Sequence, residues 1–316
     1  MSVESCTAFL ERTQEDPDLG RVMRSLTDTR EFIALARRNG YTFDVQELMT
    51  ASSALPAQDP APGEPASSAS APAADGETAI CHYELDLRDV PELRPVLDEL
   101  PNLTIQPATV DLDRFAAVLR HDDLEWTSTS PAASGFRERY EEIMVPHWNG
   151  GPGSDERRDF HLVNLDQHVD HPLYDDYFEA KLRTVGHLEP MLGPDLRFSG
   201  SMWYPPYSYR LWHTNETQPG WRMYLINFDE AIPEPDTRSF FRYMNPQTKE
   251  LVTLRDRPAM LRFFKVDQRE DRLFWHCIVN GAPRNRWSFG FAIPEDWMTR
   301  LQAAVSVDLD RVLKVG

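Results

Sequence analysis

The chain has 316 residues, 41% hydrophobic and 27% charged, which provides for one mid-sized packed domain plus a smaller unit and excludes global disorder. With 33 Lys+Arg against 51 Asp+Glu the formal net charge is −18, and such a surface repels phosphate backbones, so nucleic acid is not expected as a partner. Three scattered cysteines (Cys6, Cys81, Cys277) exclude a disulfide scaffold and a thiolate zinc site, and the lack of a long apolar run, with Glu4, Glu11, Glu15, Asp16 and Asp18 near the start, argues for a cytoplasmic protein without membrane contact.

In chain order, residues 1–50 read as a small all-α unit. Cys6, Phe9 and Leu10 form one apolar face. Asp16-Pro17 starts a second helix, with Asp as N-cap and Pro in the first turn, and Leu19, Val22, Met23 and Leu26 follow at helical spacing. Phe32, Ile33, Leu35 and Ala36 mark a third helix that Gly40 ends, and Asp44 to Glu47 has the spacing of a capping box. From Ala51 to Ala79 there are 29 residues, of which 22 are Ala, Pro, Ser or Gly. With Leu55 as its one large apolar side chain, this segment cannot offset its ordering entropy and reads as a disordered linker.

The run Leu35-Ala36-Arg37-Arg38-Asn39-Gly40-Tyr41-Thr42-Phe43, followed by Glu47-Leu48, resembles the end of the Nif-eleven-type leader-peptide domain. In that family the domain heads a precursor peptide and is recognised by maturation enzymes, so the resemblance implies such enzymes as partners of residues 1–50. Here a linker and a 237-residue domain, 80–316, follow in place of a short core peptide. The competing reading of residues 1–50 is a helical appendage for docking or solubility.

Residues 80–316 open with helical patterns at Pro91 to Leu100 and Asp111 to Leu119, and a longer one spans Tyr174 to Leu192. After Phe198 the period changes to short β-type runs at Tyr207–Trp212, Trp221–Phe228, Ser239–Tyr243, Leu251–Leu254, Met260–Val266, Leu273–Val279 and Trp287–Ile293. Such a series, punctuated by Gly, Pro, Asn and Asp, predicts a mainly β domain with flanking helices, a sandwich or jelly roll. His213 follows the first of these strands and His276 lies within the sixth. Strand alternation sends Arg286, Ser288 and Gly290 to one face, and puts His276 on one face with Phe274 and Ile278. Cys277 therefore points away as a core residue.

This constellation resembles the iron(II)/2-oxoglutarate-dependent oxygenases, whose core is a double-stranded β-helix (jelly roll), over about residues 198–294. The stretch Trp203-Tyr204-Pro205-Pro206 through Trp212-His213-Thr214-Asn215, with Pro219-Gly220-Trp221-Arg222, is similar to the prolyl-hydroxylase-like branch. The resemblance implies that His213 and His276 are imidazole ligands of Fe(II), that Arg286 and Ser288 grip 2-oxoglutarate, and that O2 is the third reactant. Imidazole suits Fe(II), and a planar guanidinium meets a carboxylate through two parallel hydrogen bonds. Where the family carries a carboxylate two residues after the histidine, this chain has Asn215. The third donor is then the Asn215 carbonyl oxygen, Glu216, or water, with loss of activity as a fourth outcome; halogenation, which goes with Ala or Gly at this place, is disfavoured.

His168-Val169-Asp170 is a rival HxD, but it precedes a helix rather than a strand series, and reads better as a hydrogen-bonded turn together with His171. His82, His121, His147, His161 and His187 have no spacing partner. Arg222 and Tyr224 share a strand face and are candidates for the pocket wall, as are Trp203, Tyr204, Tyr207 and Tyr209. The expected activity is hydroxylation of a C–H bond of a peptide, amino-acid-like or other small-molecule substrate, in peptide natural-product maturation. Its competitors are a catalytically silent jelly roll that binds a carboxylate or a partner, and a leader-fused scaffold or substrate for other modifying enzymes.

Overall fold

The computed structural model describes residues 3–24, 29–43, 81–148, 158–215, 218–229, 238–267 and 269–315. The chain divides into two compact units, 1–79 and 80–316. The capping box at Asp44 to Glu47, the linker 51–79, and Glu216 lie outside the described residues.

The first unit holds α1 (Val3–Glu15), α2 (Pro17–Arg24) and α3 (Thr29–Arg38). Asp16 caps α2 as its sequence position predicts, its Oδ1 accepting from the Leu19 amide at 3.2 Å. Gly40 follows α3 at φ +84°, where its missing Cβ removes the steric cost. Phe9 is fully buried and gathers Phe32 and Tyr41, each with ring centroids 5.3 Å away. An aromatic cluster thus supplies the core that so short a segment otherwise lacks.

The second unit contains, in chain order, β1 (His82–Asp86), α4 (Arg94–Leu103), α5 (Leu112–Ala117), α6 (His121–Trp126), α7 (Phe136–Trp148), β2 (Phe160–His161), β3 (Val163–Asn164), α8 (Tyr174–Leu192), β4 (Arg197–Tyr204), β5 (Ser208–His213), β6 (Gly220–Phe228), β7 (Ser239–Met244), β8 (Leu251–Arg255), β9 (Met260–Val266), β10 (His276–Asn280), β11 (Arg286–Ile293), α9 (Trp297–Ala304), α10 (Leu309–Val312) and β12 (Lys314–Val315). Two antiparallel sheets result, one in the order β12-β1-β9-β6-β11-β4-β3 and one in the order β2-β5-β10-β7-β8. Each of the seven predicted β runs corresponds to a strand. Two shifts matter for the site: His213 is the last residue of β5 rather than the one after it, and β10 begins at His276, not at Leu273. β4 was missed, because Gly200 and Ser201 interrupt its apolar pattern.

The space between the sheets is filled by Tyr204, Phe241, Tyr243, Phe264, Phe274 and Ile278. The outer face of the five-stranded sheet carries Leu211, Trp212, Cys277 and Val279, covered by Trp126, Phe136, Ile143 and Met144 from α6 and α7. Cys277 and Ile278 therefore fall on opposite faces, as alternation requires. Phe136 is the centre of the cover: its ring stacks on Trp126 at 5.0 Å and meets Trp212 and Trp275 edge-on at 6.2 and 5.3 Å. On the outer face of the other sheet Trp297 of α9 stacks on Phe263 at 4.1 Å.

Phe136→Ala is expected to cost roughly 3 kcal/mol, the usual range for emptying a buried aromatic site. Urea unfolding followed by tryptophan emission measures it; a loss below ~1 kcal/mol would show that the cover contributes little to holding the sheet.

Candidate functional site

β5 and β10 pair antiparallel with His213 directly opposite His276. The register then shifts to Ile278 opposite Arg210, so Leu211 and Trp212 together oppose Cys277. This bulge changes the parity of β5. Arg210 and His213, three residues apart, both line the same cleft, while Leu211 and Trp212 both join the outer core. The two imidazoles come to 4.0 Å between centroids.

Each ring is fixed in the same way. His213 Nδ1 lies 2.8 Å from the Leu211 carbonyl oxygen, and His276 Nδ1 lies 2.9 Å from that of Phe274. In the neutral tautomer Nδ1–H donates to the carbonyl, and Nε2 carries the lone pair. Burial pushes the His276 imidazole down to about 4, with the Arg210 charge adding to it and the Phe274 carbonyl opposing, so at neutral pH its Nε2 is a lone-pair donor. Asn215 Nδ2 sits 3.4 Å from this nitrogen. Asn215 itself adopts φ +54°, a conformation asparagine tolerates, and its carbonyl accepts from the Gln218 amide at 2.9 Å.

The cleft lies between the sheets and encloses about 270 Å³. Besides these groups, Tyr204, Arg222, Tyr224, Ser288 and Gly290 line it. Ser199, the extra residue of a second bulge where β4 meets β11, is aimed at Gly290: a Cβ at 290 would lie 2.8 Å from the Ser199 hydroxyl. Arg210 is buried, ion-paired with Asp159 and stacked over Phe160 at 3.5 Å.

Arg286 lies below Ser288 on the same face of β11. It is fully buried, with Cζ 4.7 Å from the centre of the Tyr204 ring. Its Nε donates to Asp256 Oδ2 at 2.8 Å, whereas Nη1 and Nη2 are buried and have no hydrogen-bond partner among the described residues. Asp256 Oδ1 accepts from Arg262 at 2.7 Å, and Arg262 donates to Glu84 at 2.7 and 2.9 Å. Burial by itself would raise the Asp256 carboxyl, but Arg286 and Arg262 together hold it below the usual range. The result is a fixed guanidinium whose two outer nitrogens have no acceptor among the described residues.

Of the four aromatic residues expected to wall the pocket, Tyr204 does so. Trp203 points the other way on β4, its Nε1 donating to Asn285 at 2.9 Å; Tyr209 belongs to the outer core; and Tyr207 sits in the β4–β5 turn, 44% exposed. Alternation along β4 and the turn after it separates them. Arg222 and Tyr224 do line the cleft. The rival His168 is in a turn closed by the His168 and His171 amides, with Nδ1 3.0 Å from the Thr109 hydroxyl, and is not part of the cleft. His82 and His161 are packing residues, the first 2.9 Å from the Tyr243 hydroxyl and the second stacked on Phe115 at 4.0 Å, and burial pushes both to about 4.

Among the described residues no three His, Cys, Asp or Glu side chains are grouped to hold a metal ion. The donor set at the mouth is two imidazoles and a carboxamide, which fits a divalent transition metal such as iron(II), and the orphaned Arg286 nitrogens fit a carboxylate cosubstrate. No described helix is long and apolar enough to cross a membrane.

Residues 1–48 match the Nif11 domain. No curated protein matches the chain in sequence. Among solved structures it is similar to a prolyl-4-hydroxylase from Pseudomonas putida, at 13% identity and a TM-score of 0.25, covering 60% of this chain and 89% of that one. It is also similar to an oxidoreductase of the 2OG-Fe(II) oxygenase family from Burkholderia pseudomallei, at 10% identity and a TM-score of 0.27, covering 60% and 94%. A third is a prolyl hydroxylase from Trichoplax adhaerens, in complex with a peptide fragment of the hypoxia inducible factor oxygen degradation domain, at 12% identity and a TM-score of 0.26, covering 66% and 100%.

Asp256→Ala leaves two buried guanidinium groups without their shared carboxylate. Stability is expected to fall by about 3–5 kcal/mol, measured as a shift in urea midpoint. A change under ~1 kcal/mol would mean that water enters and solvates the arginines.

Proposed function

We propose that residues 80–316 are a double-stranded β-helix oxygenase that uses iron(II), 2-oxoglutarate and O2 to hydroxylate a C–H bond. The observation that carries this reading is the opposition of His213 and His276 across β5 and β10, with both Nδ1 atoms committed to backbone carbonyls. The strand order supports it. The eight strands β4 to β11 run β4-β11-β6-β9 in one sheet and β5-β10-β7-β8 in the other, the interleaving of a jelly roll.

In this reading His213, His276 and the carboxamide oxygen of Asn215 hold the iron. A half-turn about the terminal torsion of Asn215 exchanges its nitrogen for its oxygen. The backbone carbonyls of Leu211 and Phe274 orient the two rings and increase their basicity toward a metal. Arg286 and Ser288 receive the distal carboxylate of 2-oxoglutarate, and Asp256 keeps the Arg286 fork from turning away. Burial keeps water from competing for that fork, so its two hydrogen bonds form in a medium where they are strong. Bound iron, with 2-oxoglutarate and oxygen, supplies an oxidant able to take hydrogen from an unactivated C–H bond while the cosubstrate becomes succinate and carbon dioxide. The protein's task is to place that bond and exclude solvent. The Nif11 match at residues 1–48 supports a peptide context in natural-product maturation.

A second reading, a carboxylate-binding domain without iron, is favoured by the neutral Asn215 where a charged donor is expected. Anaerobic titration of the full chain with Fe(II) and 2-oxoglutarate separates the two. The oxygenase should show a visible metal-to-ligand charge-transfer band, absent in His276→Ala, and release succinate when oxygen is admitted. Asn215→Asp should tighten iron binding roughly ten-fold, the scale of a charge-assisted over a neutral contact. Absence of both band and succinate would leave the carboxylate-binding reading.

A further inference from the structure

The described residues include four buried arginines: Arg210, Arg222, Arg262 and Arg286. Three are neutralised by carboxylates, Arg210 by Asp159, Arg262 by Glu84 and Asp256, and Arg286 by Asp256. Among the described residues Arg222 has no carboxylate partner. Its Nη2 donates to the Gln218 carbonyl at 2.7 Å and contacts the Gln218 side chain at 3.4 Å, both neutral. Burial lowers its pKa, with Tyr224 opposing and Arg197 adding to the effect. An arginine this buried without a counter-charge is costly, and the more notable in a chain of net charge −18.

The register shows how it is held. Arg222 and Arg197 both pair with Ala292, one from each side of β11, so all three lie on one rung and on one face. Arg197 is exposed and makes no ion pair among the described residues. Two like charges on one rung repel each other until an anion sits between them or beside them. Arg222 itself lines the cleft, next to Tyr224 and Gln218.

Arg222 and Arg286 start from different places on the sheet. On β6 the Arg222 rung and the Arg286 rung (Arg286 pairs with Phe228) are six residues apart. At about 3.3 Å per residue that is roughly 20 Å between the two backbone positions, before the reach of either side chain is counted. Arg222 lines the cleft, whereas Arg286 is fully buried and is not among the residues that line it.

We propose that Arg222, supported by Arg197, is a carboxylate subsite, and that the substrate of this domain carries a carboxylate there. Arg197 is exposed and screened by solvent, so the buried part of the site carries the single positive charge of Arg222, which matches a carboxylate better than a phosphate dianion. The inference rests on the oxygenase reading for calling its ligand a substrate; the site itself follows from Arg222.

The test uses two blocked peptides, acetyl-Ala-Gly-Glu-Gly-Ala-amide and its Gln counterpart, and glutarate as a free acid. They are titrated calorimetrically into the full chain with Fe(II) and 2-oxoglutarate at saturation and no oxygen. The Glu peptide or glutarate should bind at least about ten-fold tighter than the Gln peptide, with the preference shrinking as salt rises. Binding of the Glu peptide without glutarate identifies a peptide substrate, and binding of both a substrate defined by its acid group. Arg222→Gln should abolish the preference, and Arg222→Lys should restore part of it. Arg197→Gln, an exposed change that does not threaten folding, should reduce it about three-fold. Equal binding of the Glu and Gln peptides, a Glu preference seen without 2-oxoglutarate but lost at its saturation, or a preference that survives in a folded Arg222→Gln protein would overturn the proposal. The charge-transfer band, read on the same samples, keeps the two readings apart: a Glu preference without the band would sink the oxygenase and leave the subsite standing. Loss of the band in Arg222→Gln would instead assign Arg222 to the cosubstrate and overturn the subsite.

Discussion

A β-strand alternates its side chains, so Arg210 and His213 cannot face one cleft unless an extra residue is inserted between them. The bulge opposite Cys277 makes that insertion. It turns Leu211 and Trp212 together toward the outer core, where α6 and α7 cover them, and leaves His213 facing His276. The bulge, the apolar cover and the imidazole pair therefore depend on one another. Without the cover, nothing would favour two consecutive apolar residues on the outer face; without the bulge, His213 would join them.

A second constraint is the shared carboxylate of Asp256. It sits between Arg262 and Arg286 in a dry interior, and Glu84 completes the charge balance from the neighbouring strand β1. Because Asp256 takes the Nε of Arg286, the two Nη nitrogens are left buried without a partner among the described residues. The geometry directs the guanidinium rather than merely neutralising it. This division of one side chain into a held nitrogen and two separate unpartnered ones suits arginine; lysine gathers its donors on one nitrogen and lacks the planar fork that meets a carboxylate through two parallel bonds.

Much of this was legible in the sequence and some was not. The seven core strands announced themselves as short apolar runs between turn residues, and His276 and Ser288 could be placed on strands, and His213 just past the end of one, from those runs. Alternation correctly sent Cys277 away from His276. It failed at β5, because a bulge leaves no mark in a run such as Tyr-Arg-Leu-Trp-His, where every residue is buried on one side or the other. Asp256 was illegible for a different reason. It lies in Arg-Asp-Arg-Pro, which reads as a polar turn, and only the packing of β8 and β9 brings it beneath Arg286. The significance of Arg222 was equally hidden, since what sets it apart is the lack of a carboxylate partner among the described residues, and a sequence full of acidic residues suggests that every arginine has one.

The backbone at Asn215 has a consequence for how this site can change over time. At φ +54° the position admits glycine, asparagine and aspartate at little cost and penalises β-branched and bulky residues. The few side chains that folding permits are a neutral oxygen donor, a charged oxygen donor and no donor at all. Chain geometry thus narrows the accessible variants to those that would differ most in the proposed iron site. A single-codon step at this position can alter what the cleft does without altering how the strand ends.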